Sequence, residues 1–294
     1  MNDFRRILFP VDFSRRCEGT VPFVREMAQT YQSALTLLHV VEIPLYSYGM
    51  IPAEGALRWD SIDENIRIGQ QNLTNFACEH FGDLQKTHDV QALCDRGDPG
   101  YAILSRAEKS AADIIMMPTH GEGPFRSFLV GSATARVLHR ASAAVWTGTH
   151  LDTEFSKAHL PVRRIVCALD LEHDSAHVLD SALTLAHKFN ARLRLVHCVP
   201  VPESGPSEDF LSEFDRFLAA SATEKLNKLQ AEAGSNCEVV LEGGHISKVV
   251  RDAAMHLGAD LVVIGRGHAH SPLSRLRTNA YAIIRESPCP VLSI

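Results

Sequence analysis

The chain has 294 residues, 45% of them hydrophobic and 22% charged, with a formal net charge of −6. That length favours about two domains, the composition suits soluble globular domains with a real core, and the negative sign removes the electrostatic case for nucleic acid or an anionic membrane as partner. No apolar run approaches the roughly 18 residues needed to span a bilayer, and the opening MNDFRRILFPVDFS holds no apolar signal segment, so the expectation is a cytoplasmic protein.

In chain order, the first strand is expected at Arg6–Pro10, a short apolar run, followed by a helix that Ser14 caps and that runs to about Tyr31. Ala34–Val41 reads as the second strand. A helix from about Asp60 to Phe81 follows, with apolar residues Ile62, Ile66, Leu73 and Phe76 at roughly helical spacing. The third strand is placed at about Val90–Cys94. Asp98-Pro99 opens a helix to Ser110, with proline in its first turn. Asp113–Pro118 is apolar almost throughout and reads as a strand buried on both faces. Ser132–His139 reads as a helix and Ala143–Thr147 as the last strand. Alternating strands and helices imply a parallel sheet with helices on both faces.

The order then repeats. Arg5-Arg6-Ile7-Leu8-Phe9-Pro10-Val11-Asp12 matches Arg163-Arg164-Ile165-Val166-Cys167-Ala168-Leu169-Asp170, and Leu37–Val41 matches Leu195–Val199 at the same offset. Farther on the offset shortens by 11 residues: Gly97 faces Gly244, and Ala112–Met117 faces Ala259–Ile264. The extra length of the first copy therefore lies between Val41 and Cys94, chiefly in Ile43–Trp59. The second copy's strands are expected near Arg164–Leu169, Arg192–Val199, Glu238–Leu241, Asp260–Gly265 and Pro290–Ile294, with Leu151–Pro161 as linker. Self-similarity at so long a period means duplicated domains: residues 1–150 and 162–294, each an open doubly wound domain with a five-stranded parallel sheet.

Ligands of such sheets sit outside the carboxyl ends of the strands, where the strand order reverses. In the first copy those ends carry Asp12, Val40-Val41 and Met117–Gly121, and the last leads into Gly131-Ser132-Ala133-Thr134 at a helix start. A Gly-Ser entering a helix offers backbone N–H groups, a hydroxyl and a positive dipole end to an anion, and Gly121 lets a phosphate approach without a Cβ in the way. The chain has neither a G-x-x-x-x-G-K-[ST] string nor a G-x-G-x-x-G after the first strand.

On these residues the sequence resembles the universal stress proteins along nearly its whole length, as two tandem domains. The family motif, G-x2-G-x9-G-[ST] after the fourth strand, is met by Gly121, nine residues and Gly131-Ser132, and departs only at Pro118, which removes one backbone donor. The resemblance implies an adenine nucleotide alpha hydrolase-like fold. It also implies ATP, optionally with Mg²⁺, held in the first domain by Pro10, Val11, Asp12, Val40, Met117, Pro118, His120, Gly121, Gly131, Ser132, Ala133 and Thr134. Pairing of domains through their last strands, within the chain or in a homodimer, is implied as well. In the second copy His268 replaces the second motif glycine and Thr278-Asn279 replaces Gly-Ser, so the usual ATP pose is not expected there. Asn279 can still donate to an anion.

Fifteen histidines invite a metal reading. His173 and His177 share a helix face, and His268 and His270 follow the fourth strand of the same copy, where imidazole and carboxylate would suit zinc. Solvated loop histidines are the simpler reading, and no metal site is assigned. His39 and His197 occupy equivalent strand positions and read as hydrogen-bonded core histidines. Arg266, Arg275 and Arg277 read as a solvated face that can meet phosphate. The seven cysteines form no C-x-x-C pair and read as reduced core thiols. No G-x-S-x-G, H-E-x-x-H or kinase string is present, so a nucleotide-binding stress or signalling protein with little turnover is expected. The alternatives are a slow ATPase or phosphotransfer enzyme with His120 beside the phosphates, and a non-catalytic partner protein with a metal or effector site in domain two.

Overall fold

The computed structural model describes residues 3–42, 59–119, 130–148, 155, 158–172, 174–199, 208–266 and 275–294. Two compact units result, one built on Asp3–Trp146 and the other on Lys157–Ile294.

The first unit runs β1 (Arg6–Pro10), α1 (Arg15–Tyr31), β2 (Ala34–Val41), α2 (Trp59–Phe81), a 3₁₀ turn (Leu84–Lys86), β3 (Val90–Arg96), α3 (Pro99–Lys109), β4 (Ile114–Pro118), α4 (Ser132–Arg140) and β5 (Ala144–Gly148). Its strand order is β3-β2-β1-β4-β5. β1 pairs in parallel with β2 (Leu8 opposite Thr36) and with β4 (Leu8 opposite Ile115). The chain therefore steps outward on one side through β3, then crosses to β4 on the far side of β1, and the sheet's order reverses between β1 and β4.

Alternation along β1 divides the core. Leu8 points to one face, where it meets Leu38, Ile115, Met117 and Val145 with Ile103 and Ala107 of α3 and Val137 of α4. Phe9 points to the other, where its ring lies 6.4 Å from that of Phe76 and 6.2 Å from that of Phe81 on α2. Full burial of such side chains contributes roughly 1.5–3 kcal/mol each. Ser14 caps α1 as expected, accepting the Cys17 N–H at 3.1 Å. Pro22 inside α1 removes one ladder donor, yet the helix continues because Val21, Phe23 and Val24 are buried around it.

The second unit repeats the plan: β6 (Arg164–Ala168), α5 (Ser175–Phe189), β7 (Arg192–Val199), α6 (Glu208–Glu232), β8 (Glu238–Gly243), α7 (Ile246–His256), β9 (Leu261–Ile264), α8 (Arg275–Glu286) and β10 (Val291–Ser293). Its order is β8-β7-β6-β9-β10. Both copies bind the start of the fourth strand to the first strand through one ion pair. Asp113 accepts the Arg6 N–H and Nη2 at 2.9 Å each, and Asp260 accepts those of Arg164 at 2.9 and 2.8 Å. Both copies also close their first helix with a left-handed residue, Gln32 at φ 52° and Asn190 at φ 50°.

The sequence-based boundaries hold to within a few residues. β3 extends two residues past Cys94 because its ladder with β2 continues to Arg96 opposite Val41, polar residues that apolar patterning does not capture. The 3₁₀ turn was not anticipated. The expected length difference in Ile43–Trp59 falls almost wholly outside the described residues.

Candidate functional site

A crevice of about 380 Å³ opens at the carboxyl edge of the first sheet, at the reversal between β1 and β4. Three strand ends and two helix starts build it.

After β1 the chain turns sharply through Phe13, which holds φ at 59°, a left-handed conformation uncommon for a residue with a Cβ. The turn lets one carboxylate oxygen of Asp12 accept both the N–H (3.0 Å) and the hydroxyl (2.6 Å) of Ser14. That oxygen is fixed by the protein itself, and the second oxygen of the exposed carboxylate can still accept a hydrogen bond. β2 contributes Leu38, His39 and Val40. His39 Nδ1 donates to the Val11 carbonyl at 2.8 Å, as expected of a hydrogen-bonded core histidine, and the Phe13 ring lies 4.6 Å from it.

β4 ends at Met117-Pro118. The Gly131 N–H returns to the Thr119 carbonyl at 2.8 Å, and the buried Thr134 hydroxyl donates to the Pro118 carbonyl at 3.2 Å. Two contacts thus fasten the start of α4 to the end of β4. Gly131 is the N-cap of α4 and has no side chain to cap it. The first intrahelical bond runs from Ala135 N–H to Gly131 carbonyl at 2.8 Å. The N–H groups of Ser132, Ala133 and Thr134 come before it, so the helix supplies them no acceptor, and all three residues line the crevice. By contrast, side chains cap α1 and α3: Ser14 for the first and Asp98, accepting Tyr101 N–H at 3.0 Å, for the second.

Of the twelve residues anticipated from sequence, the crevice brings together Pro10, Val11, Asp12, Val40, Met117, Pro118, Gly131, Ser132, Ala133 and Thr134. His120 and Gly121 lie outside the described residues. One detail differs from the sequence reading: the Gly131 N–H is spent on Thr119, so the donors on offer begin at Ser132. Leu38, His39, Glu42, Pro99 and Ile103 also line the crevice and were missed as lining residues. The signal for the last two was present, since Asp98-Pro99 starts a helix at the same edge.

The second unit has its own crevice, about 290 Å³, in the equivalent place. Asp170 again lies beyond the first strand, accepting the Glu172 N–H at 3.0 Å and the Ser175 hydroxyl at 2.9 Å. Leu171 repeats the left-handed turn at φ 61°, and His197 Nδ1 donates to the Leu169 carbonyl at 2.8 Å. The fourth-strand side is different. Ser132 is the first residue of α4, but Asn279, its counterpart, is the fifth residue of α8. Backbone N–H groups there are taken by the carbonyls of the preceding turn. Asn279, Ala280 and Ile283 line the crevice, whereas Arg266 is not among its lining residues. Burial pushes the Arg266 guanidinium down to about 10. The side chains of Arg275 and Arg277, and all of His173, His268 and His270, lie outside the described residues, and His177 is exposed on α5. Among the described residues no three His, Cys, Asp or Glu side chains gather as a metal site, and no helix is long and apolar enough to cross a membrane.

Comparison with known proteins follows the same division. A model described as the universal stress protein family matches residues 3–147 and again residues 161–294. A universal stress protein of Methanocaldococcus jannaschii is 26% identical over 151 residues, covering 48% of this chain and 93% of that protein. Universal stress protein A homolog 1 of Coxiella burnetii is 28% identical over 138 residues, covering 45% of this chain and 95% of its own. Among solved structures, a universal stress protein from Archaeoglobus fulgidus superposes with a TM-score of 0.69 at 18% identity, covering 99% of this chain and 96% of that one. A functionally unknown protein from Pseudomonas aeruginosa gives 0.67 at 16%, covering 100% and 93%. At such identities these two likenesses speak to the fold.

Proposed function

The chain belongs to the universal stress protein family, once in each half, and from that premise we propose that the first crevice binds ATP and that the protein acts as a cytoplasmic nucleotide-binding stress or signalling protein with little turnover. The observation that carries this reading is the start of α4. Three backbone N–H groups without a helical acceptor line a crevice at the positive end of a helix, and Gly131 brings no side chain to compete. Such a terminus recognises phosphate. The volume of about 380 Å³ lies within the range, about 300–1,000 Å³, of small-molecule sites.

Each residue then has a physical task. The Asp12 carboxylate, held by Ser14, accepts hydrogen bonds from the ribose hydroxyls. Val11, Val40 and Met117 enclose the apolar faces of the base. Ser132, Ala133 and Thr134 donate backbone N–H groups to the phosphates, with the Ser132 hydroxyl beside them, and Gly121 leaves room for them by the family resemblance. Asp12 and Glu42 are the carboxylates among the described lining residues, fewer than a dedicated Mg²⁺ cage needs. An accompanying Mg²⁺ would be held chiefly by phosphate and water. No general base stands among the described residues at the phosphate end, which is why turnover is expected to be low.

The test has two parts. Purified protein is unfolded in denaturant and the released nucleotide identified; ATP or ADP at near one per chain is expected. Calorimetry then compares the wild type with Ala133→Glu. A glutamate in the first turn suits the helix dipole, so folding is retained, but its carboxylate meets the phosphates and ATP affinity should fall by at least about tenfold. Absence of released nucleotide together with no heat on adding ATP overturns the reading. Steady ADP release abolished by His120→Ala would make the protein a slow ATPase instead.

A further inference from the structure

The second crevice keeps the floor of the first and changes its walls and its charge. Asp170, His197 and the left-handed turn at Leu171 repeat Asp12, His39 and Phe13. On the α7 side, Pro99 and Ile103 of the first copy become Ile246 and Val250. Together with Leu169, Val178, Ile264 and Ile283, these aliphatic side chains enclose most of the cavity. Val178, Val250, Ile264 and Ile283 are at most 6% exposed, while Ile246 is 37% exposed at the rim, so the inner walls are part of the packed core and need no rearrangement to form.

Among the described residues the polar lip is acidic. Asp170, Glu172 and Asp174 contribute three carboxylates, and no lysine or arginine stands among the described lining residues. Asn279, the counterpart of Ser132, lies in the second turn of α8 and not at its start, so its N–H is taken within the helix. Both changes disfavour an anion: its desolvated charge would face carboxylates, with no free helix-start donor among the described lining residues to offset them. The same arrangement favours a cation whose body is apolar, since the walls remove hydrocarbon from water while the lip attracts the charge.

We propose that the second crevice is a separate site for a small amphiphilic amine, an apolar ring or chain bearing one protonated amino group, and that it rejects nucleotides. The amine sits at the Asp170–Glu172 lip and the body between α7, α8 and the strand ends. At about 290 Å³ the cavity stands at the small end of ligand sites, which suits a two-ring body better than a nucleoside polyphosphate. The inference does not rest on the ATP reading of the first crevice, and each can fail alone.

The test uses the full-length chain and three probes of one shape: tryptamine (cationic), tryptophol (neutral) and indole-3-propionate (anionic), titrated by calorimetry, with ATP titrated separately. Tryptamine should bind at least about tenfold more tightly than indole-3-propionate, with tryptophol between. Asp170→Asn should remove most of that preference. Glu172→Gln, at an exposed position that the fold does not need, should reduce the preference by about threefold and guards against misfolding of the first variant. Ala280→Phe fills the cavity and should abolish binding of all three probes without altering the response to ATP. Equal or tighter binding of the anion overturns the proposal. So does binding that survives Ala280→Phe, or no binding of tryptamine at millimolar concentration.

Discussion

Ala111 holds its backbone at φ 46°, in the left-handed region, and its counterpart in the second copy is Gly258 at φ 58°. One backbone requirement is thus met by two residues, only one of which meets it without strain. A left-handed L-residue costs roughly 1–2 kcal/mol, while glycine adds about 0.4–1 kcal/mol of unfolded-state freedom. Ala111→Gly is therefore expected to stabilise the protein slightly, by about 0.5 kcal/mol. Gly258→Ala is expected to destabilise it by about 1 kcal/mol, the more so because the new Cβ would lie 2.6 Å from Arg164 Nη1 and disturb its pair with Asp260. Urea unfolding of the two variants checks the opposite signs. A second residue-scale effect is electrostatic. The Arg25 guanidinium grips both oxygens of Asp83 and holds that carboxyl down to about 2. A depressed folded value means that the pair's contribution is complete above the ordinary aspartate value of about 3.9 and is lost as pH falls through about 2. The melting-temperature difference between wild type and Asp83→Asn should be constant above about pH 5 and shrink steadily as pH falls toward about 2; a difference of unchanged size between pH 5 and pH 2 would assign it to packing.

Among the elements, α3 and α4 pack closely at position 100, which is glycine. A Cβ on Gly100 would lie 3.0 Å from Arg136 Cδ and 3.2 Å from Arg136 Cβ, and Arg136 is held in place by Asp98 and by stacking 4.3 Å from the Tyr101 ring centroid. Alanine gains up to about 1 kcal/mol of helix propensity, but overpacking costs about 1–3 kcal/mol, so the steric term wins. Gly100→Ala should lower stability by about 1 kcal/mol. It should also weaken ATP binding severalfold, because α4 carries Ser132, Ala133 and Thr134; calorimetry and denaturant unfolding measure both. The same elements show what a sequence can and cannot reveal. Capping residues and apolar periods are local, so α1 from Ser14, α3 from Asp98-Pro99 and each central strand were legible to within a residue or two. The repeat exposed the strand ends, and the family resemblance added to them, so that ten residues of the first crevice were anticipated. What was not legible depends on registration between elements. The later position of Asn279 within α8, and the inward turn of Val178, Val250 and Ile283, follow from how helices seat on the sheet. Reading the second copy as a degraded phosphate site therefore missed its apolar walls.

Taken whole, the molecule is two copies of one fold whose crevices differ in lining, and the ligand asymmetry proposed for them has a thermodynamic consequence. A ligand that binds only the folded form adds RT ln(1 + [L]/Kd), about 2.7 kcal/mol at a hundredfold excess over Kd, and adds it to the unit that holds it. The cysteines allow each unit to be read separately. Cys17 in the first unit and Cys167 in the second are fully buried, and burial pushes both thiols far up from the usual range. Neither reacts until its surroundings open. Cys78 is exposed and reports the folded chain at once. Pulsed labelling with a maleimide, followed by mass spectrometry, should find Cys78 modified in the native protein and the two buried thiols modified only during opening. With saturating ATP, labelling of Cys17 should slow by about a hundredfold under conditions where reclosing is fast, while Cys167 slows much less. Tryptamine should reverse the order. Equal protection of both thiols by ATP would show that the two units open as one cooperative body, and protection of Cys167 alone would move the nucleotide to the second crevice.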